Sequence, residues 1–312
     1  PAIVSSLSKD IALGTSKTIK RLRALQPKEV FEQIQQLPDD AIRRLASDFE
    51  DVADKFETLF RQSDFLATWK RLDKVGGVAT WKRFNRIAIE SLAGFIDQID
   101  AVLPKYTLNG KPLNREEFMA LIKKYDPKVP GADADKLLKP EELEYLKNVR
   151  YALFETNRPN MSTIFQKAFS SKEYSLEALI KKIEGKGNKM QISGSVITAS
   201  DAKHMQTLSD MYEGLALDYP GSQFSVNDAN YVLRYKVSNP QNAKIPVSGS
   251  LEDLARINPK DYVYSHYGSP FTGNGHVPGG PELFVDGDAP MEISEALIVK
   301  ISPDGTEVPV AV

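Results

Sequence analysis

Residues 230–237 read NYVLRYKV. Tyr231, Leu233, Tyr235 and Val237 alternate there with Val232, Arg234 and Lys236, the period-two pattern of a half-buried strand. Working outward, Met190–Ala199 is rich in β-branched residues and reads as another strand. Ile245–Val247, Tyr262–Tyr267, Leu283–Val285, Ala296–Ile301 and Val308–Val312 are further candidates, and Pro303-Asp-Gly-Thr306 is a hairpin turn. Between the strands, Asp201–Asp218 places Met205, Leu208, Met211 and Leu215 on one side of an amphipathic helix. Met161–Phe169 and Leu176–Glu184 also carry helical spacing. No period of roughly 20–50 residues repeats. The second half of the chain is therefore expected to be a small domain with a mostly antiparallel sheet and one or two helices.

The first half has a different texture. Pro27–Leu37 puts Val30, Phe31, Ile34 and Leu37 on one face, with Pro27 suited to a first helical turn. Ile42, Leu45, Phe49, Val52, Phe56, Leu59 and Phe60 keep three-to-four spacing after Pro38. Phe65, Leu66, Trp69 and Leu72 form a third stripe before Gly76-Gly77, and Trp81 to Ile99 a fourth. Asn114 with Glu117 is a capping box for a helix to Tyr125, and Pro140 opens another to about Phe154. The aromatic stripes read as core. The fold class is α+β, an N-terminal helical bundle followed by the sheet domain. Asn157-Arg-Pro-Asn160 is the expected boundary, giving a docking or delivery module over 1–158 and a sheet module over 159–312.

Composition supports two modules. The 312 residues carry a net charge of −2, but residues 1–160 are +3 and residues 161–312 are −5. An acidic second module argues against nucleic acid as its target, because phosphate contacts call for a basic face. With no cysteine, disulfides, thiolate zinc sites, iron–sulfur clusters and cysteine nucleophiles are excluded. No apolar run approaches the ~18 residues of a membrane span, and no signal peptide is recognisable. A chain opening on Pro1 reads as a piece of something longer.

The best candidate site is Tyr262–Pro281, YVYSHYGSPFTGNGHVPGGP, twenty residues without an Asp, Glu, Lys or Arg. It offers aromatics, backbone N–H groups and two of the three histidines. His266 and His276 could divide acid and base work in a metal-free ribonuclease reaction, or hold a metal with Asp286, although no metal is expected. Pro278-Gly-Gly-Pro281 can cradle an anion. Glu282 follows it, placed to steady an oxocarbenium-like ribose. Arg234 is one of two arginines after residue 160 and could pair with a diphosphate. Glu292 and Glu295 form a further carboxylate pair, and Gly194-Ser195 and Gly249-Ser250 lack the context of a serine-hydrolase elbow. No glycine fingerprint of a dinucleotide-binding Rossmann unit is present.

Phe65-Leu-Ala-Thr-Trp-Lys-Arg-Leu-Asp-Lys-Val-Gly-Gly77 resembles the W-K-x-L-x-x-x-G stretches in the helical pre-toxin region of bacterial polymorphic toxins. Tyr235-Lys-Val-Ser-Asn-Pro240 and Pro278-Gly-Gly-Pro-Glu282 are similar to the Y-x-V-x-x-P strand and P-G-G-G-x-Q loop of NAD-glycohydrolase toxins of the tuberculosis-necrotizing type, with Glu282 where that family has its glutamine. The resemblance implies a secreted effector delivered into a target cell from a larger carrier or secretion apparatus, with an immunity protein as partner. It implies NAD as substrate of a glycohydrolase or ADP-ribosyltransferase. Tyr262, Tyr264, Tyr267 and Phe271 would then stack on the nicotinamide or adenine ring, Gly279, Gly280 and Arg234 would receive the diphosphate, and Glu282 or Glu295 would act at the ribose. A ribonuclease using His266 and His276 is the alternative enzyme. A non-catalytic binding or structural component of a delivery machine is the alternative class.

Overall fold

A computed structural model describes residues 28–52, 65–73, 77–124, 138–184, 191–219, 221–247, 258–265, 271–272 and 279–311. The chain is α+β, as expected. It divides between Lys82 and Arg83, with Val308–Ala311 grouped with the first unit, and not at residue 158.

In the first unit, Lys28–Gln35 (α1) and Asp39–Val52 (α2) flank Pro38 and bury Ile34, Leu37, Ile42 and Leu45. These are four of the stripe positions. Phe65–Asp73 (α3) buries Leu66 and Trp69. Arg44 joins α2 to α3: its Nε and Nη2 donate to the Asp73 carboxylate, both at 3.0 Å, and its Nη1 donates to Asp40 one turn away at 2.8 Å. Phe56, Leu59 and Phe60 lie outside the described residues.

The stripe from Trp81 to Ile99 is three helices, not one: Gly77–Phe84 (α4), Arg86–Glu90 (α5) and Phe95–Val102 (α6). Asn85 breaks it by turning its side chain back onto the chain, where Oδ1 accepts from Ala88 N at 2.9 Å. Gly94 breaks it again; a Cβ there would sit 2.3 Å from the Ser200 carbonyl oxygen. Arg115–Lys124 (α7) begins at the expected capping box, with Asn114 and Glu117 exchanging side-chain-to-backbone hydrogen bonds of 2.8 and 2.9 Å. Pro140–Thr156 (α8) follows. Helices α6, α7 and α8 share one core built on Phe95, Ile99, Phe118, Leu121, Leu146 and Val149.

The strands of the second unit are β1 (Phe165–Phe169), β2 (Gln191–Ile192), β3 (Gly194–Thr198), β4 (Asn230–Val237), β5 (Ala243–Val247), β6 (Tyr262–Tyr264), β7 (Leu283–Val285) and β8 (Met291–Ile301). Their order is β2-β8-β4-β1-β3-β7-β5-β6, antiparallel except for β5 and β6. β1 is a correction, because this segment carries helical spacing. Nine residues do not decide between helix and strand, and pairing with β4 and β3 does. The expected helix from Asp201 shrinks to Leu208–Gly214 (α10, after α9 at Leu176–Glu184), capped by Thr207, whose Oγ1 accepts from Asp210 N at 3.1 Å.

Only Ser193 separates β2 from β3, yet the two pair with different neighbours. β2 thus pairs with β8 at one end of the strand order, while β3 lies between β1 and β7 further along it. Gly194, at φ +80°, kinks the chain where it passes from one set of neighbours to the other, a conformation that glycine takes without strain.

Gly305 turns the chain after β8 at φ +86°, and a Cβ there would lie 2.1 Å from the Gln206 carbonyl oxygen. Gly305→Ala should lower unfolding free energy by about 2–4 kcal/mol, combining left-handed strain with overpacking. Gly110→Ala is the comparison, because Gly110 shares the positive φ but has open space around it. It should cost only the backbone part, about 1–2 kcal/mol. Equal losses in chemical denaturation would refute the role given to the Gln206 carbonyl.

Candidate active site

Glu282 enters β7 directly after Pro281. The β3–β7 register sets Ser195 opposite Phe284 and Val196 opposite Leu283. Alternation then puts Glu282 on the same face as Ser195, on the diagonal. Ser195 Oγ donates to Glu282 Oε1 at 2.6 Å. The carboxyl is buried, at 7% exposure, while Ser195 is exposed. Burial pushes the Glu282 carboxyl up to about 7, against the smaller opposing pulls of the Ser195 hydroxyl and the Arg150 charge.

Arg150, on α8, is the cation of the site. Its Nη2 donates to the Glu282 main-chain carbonyl at 2.6 Å. Burial pushes its guanidinium down to about 10, so it stays charged at neutral pH. Asp201 lies beyond it, in the turn after β3. Its carboxyl accepts from Thr198 Oγ1 at 2.8 Å and is raised by burial, with the Thr198 bond and the charges of Arg150 and His204 opposing. Arg150, Thr198, Asp201, Pro281 and Leu283 line a cavity of about 10 Å³, room for about one water. The arrangement places two buried carboxyl groups around one guanidinium, and one of the two can exchange a proton near neutral pH.

Several expected site residues have other work. Phe271 is not free to stack on a ligand: it is 2% exposed in the helical core, 5.9 Å from the Phe95 ring and 5.7 Å from Phe118. Arg234 is not open to a diphosphate. Its Nε donates to Gln166 at 3.0 Å, and its other nitrogens to the Phe84 carbonyl at 3.1 Å and to Glu307. A strand arginine surrounded by apolar residues must find such partners. The Gly280 N–H donates to Thr272 Oγ1 at 2.9 Å and so does not point at an anion; Gly279 is buried beside it. Glu295, on β8, pairs with Arg83 and with Lys236 across the strand. Tyr262 stacks on Tyr151 of α8 at 5.9 Å, while Tyr264 is exposed on the edge strand. His266, Tyr267 and His276 lie outside the described residues.

Arg150 and Asp201 were not legible as site residues, and Ser195 was noticed only as a failed hydrolase elbow. One signal did exist. Arg150 stands four residues after Leu146 and three before Leu153, a charge inside an apolar stripe.

No protein-family model, curated protein or solved structure matches this chain. Among the described residues no helix is long and apolar enough to cross a membrane, and no group of three His, Asp or Glu is placed to hold a metal ion.

The Glu282 carboxyl gives stability a definite pH dependence. It titrates near 4.5 in an unstructured chain and near 7 here, so between those values the folded chain binds more protons. The contribution of the protonated group is complete below the lower value and is lost as pH rises through the upper one. Urea unfolding at about pH 5 and about pH 8 should show wild type losing on the order of 1–3 kcal/mol relative to Glu282→Gln, which cannot titrate. Parallel behaviour of the two proteins would contradict a buried, proton-binding Glu282.

Proposed function

We propose that this chain is an enzyme centred on Glu282 that breaks, or transfers across, the nicotinamide–ribose bond of NAD, and that it serves as a delivered bacterial effector. The observation carrying the reading is the buried Glu282 carboxyl, close to neutrality in its titration, at the end of the twenty-residue uncharged stretch. Once ionised, a fixed carboxylate in a poorly solvated site stabilises positive charge developing on ribose more strongly than water does. Exposed Tyr264 remains as a stacking partner for a ring. The effector part rests on the likeness of Phe65–Gly77 to pre-toxin regions.

A second reading, a binding component without catalysis, draws on one observation. The cavity beside Arg150 holds about one water, whereas ligand clefts run to about 300–1,000 Å³.

The 312-residue chain incubated with NAD and assayed for free nicotinamide tests the first reading. Wild type should release nicotinamide at a rate that rises through about pH 7, and Glu282→Gln should be slower by about 10²–10⁴-fold. No release by wild type, alone or with a bacterial lysate as acceptor, ends the NAD reading. Equal release by both proteins keeps the reaction and removes Glu282 from it.

A further inference from the structure

Ser195 and Glu282 form a pair whose asymmetry is informative. A hydrogen bond that only satisfies a buried carboxyl is well served by a donor buried with it. Here the carboxyl is buried and its donor, the Ser195 hydroxyl, sits on a residue exposed to solvent. Arg150, the cation acting on Glu282, donates to its main-chain carbonyl. The carboxyl accepts the Ser195 hydroxyl directly, so the proton that a base would remove from the serine already lies along that bond. The separation of 2.6 Å lies within the reach a base needs to activate a hydroxyl. Backbone supports the placement: Ser195 follows the kink at Gly194 and is pinned by the β3–β7 register, so its Cβ position is set by strand pairing and not by a loop.

We propose that Ser195 is a nucleophile and Glu282 its general base, and that the pair attacks the carbonyl carbon of an ester or similarly activated acyl group. This goes beyond the NAD reading and does not depend on it. As the Oγ–C bond forms, the hydroxyl proton passes to Glu282 Oε1. The tetrahedral intermediate collapses with rupture of the bond to the leaving alkoxide, which takes that proton from Glu282. Water then attacks the acyl-serine with Glu282 again accepting the proton, and the free hydroxyl and the carboxylate are restored when the acid departs.

An alkyl phosphonofluoridate tests the nucleophile directly on the 312-residue chain. Its reaction forms an Oγ–P bond and expels fluoride. Intact mass and peptide mapping should show one adduct, on Ser195, formed at least about tenfold faster than on the neighbouring Ser193, an exposed serine that serves as an internal control. Ser195→Ala should abolish the adduct. The isosteric Glu282→Gln should slow it about 10²-fold or more. Labelling of Ser195 no faster than of Ser193 overturns the proposal in the wild-type protein alone, whatever the variants do. Undiminished labelling in folded Glu282→Gln overturns the role of the base. Nicotinamide release without serine labelling sinks this proposal and leaves the NAD reading; labelling without nicotinamide release does the reverse.

Discussion

A buried guanidinium ties the second unit together. Arg150 projects from the apolar face of α8, where Leu146, Val149 and Leu153 are buried around it, and donates to the main-chain carbonyl of Glu282 at the start of β7. A charge so placed is costly unless paired and hydrogen-bonded. Its partners therefore cannot drift: the carbonyl of Glu282 and the carboxyl of Asp201 come from two chain segments that must both converge on α8. Removing the arginine would leave a buried carbonyl without this donor, a loss of about 1–3 kcal/mol.

The same constraint explains why the chain does not divide near residue 158. Beside Arg150, Tyr151 stacks on Tyr262 and donates to Asp261 at 3.2 Å, and Arg158 donates to Asp261 at 2.5 Å while lying over the Phe154 ring. Phe271 completes the helical core from the other side of the sequence. Helices that read as a separate module thus form one wall of the site.

Arg234 illustrates how the same residue type can play opposite parts. Its alternating neighbours mark it as a solvated strand face or a ligand contact. In the fold it is 3% exposed, and Glu307, Gln166 and the Phe84 carbonyl occupy its nitrogens. Glu307 also meets Arg86, so the carboxylate is held well ionised by two guanidinium groups, although burial alone would raise it. The network fastens Phe84 and Arg86 of the helices to Arg234 and Gln166 of the sheet and to Glu307, where the last strand begins.

The sequence by itself determined what depends on nearest neighbours. Period-two alternation defined NYVLRYKV as the strand Asn230–Val237, the short apolar run LFV marked Leu283–Val285, and the Asn114–Glu117 capping box marked the start of a helix, because each signal is written in residues within a few positions of one another. Glu282 was legible as a candidate since it ends an uncharged, glycine-rich stretch. Tertiary structure decided the rest. Phe165–Phe169 is a strand because β4 and β3 flank it, Phe271 is core because Phe95 and Phe118 enclose it, and Arg150 reaches Glu282 across 132 positions. Those outcomes turn on long-range pairing and on which buried charges find partners, and no local pattern of spacing encodes either.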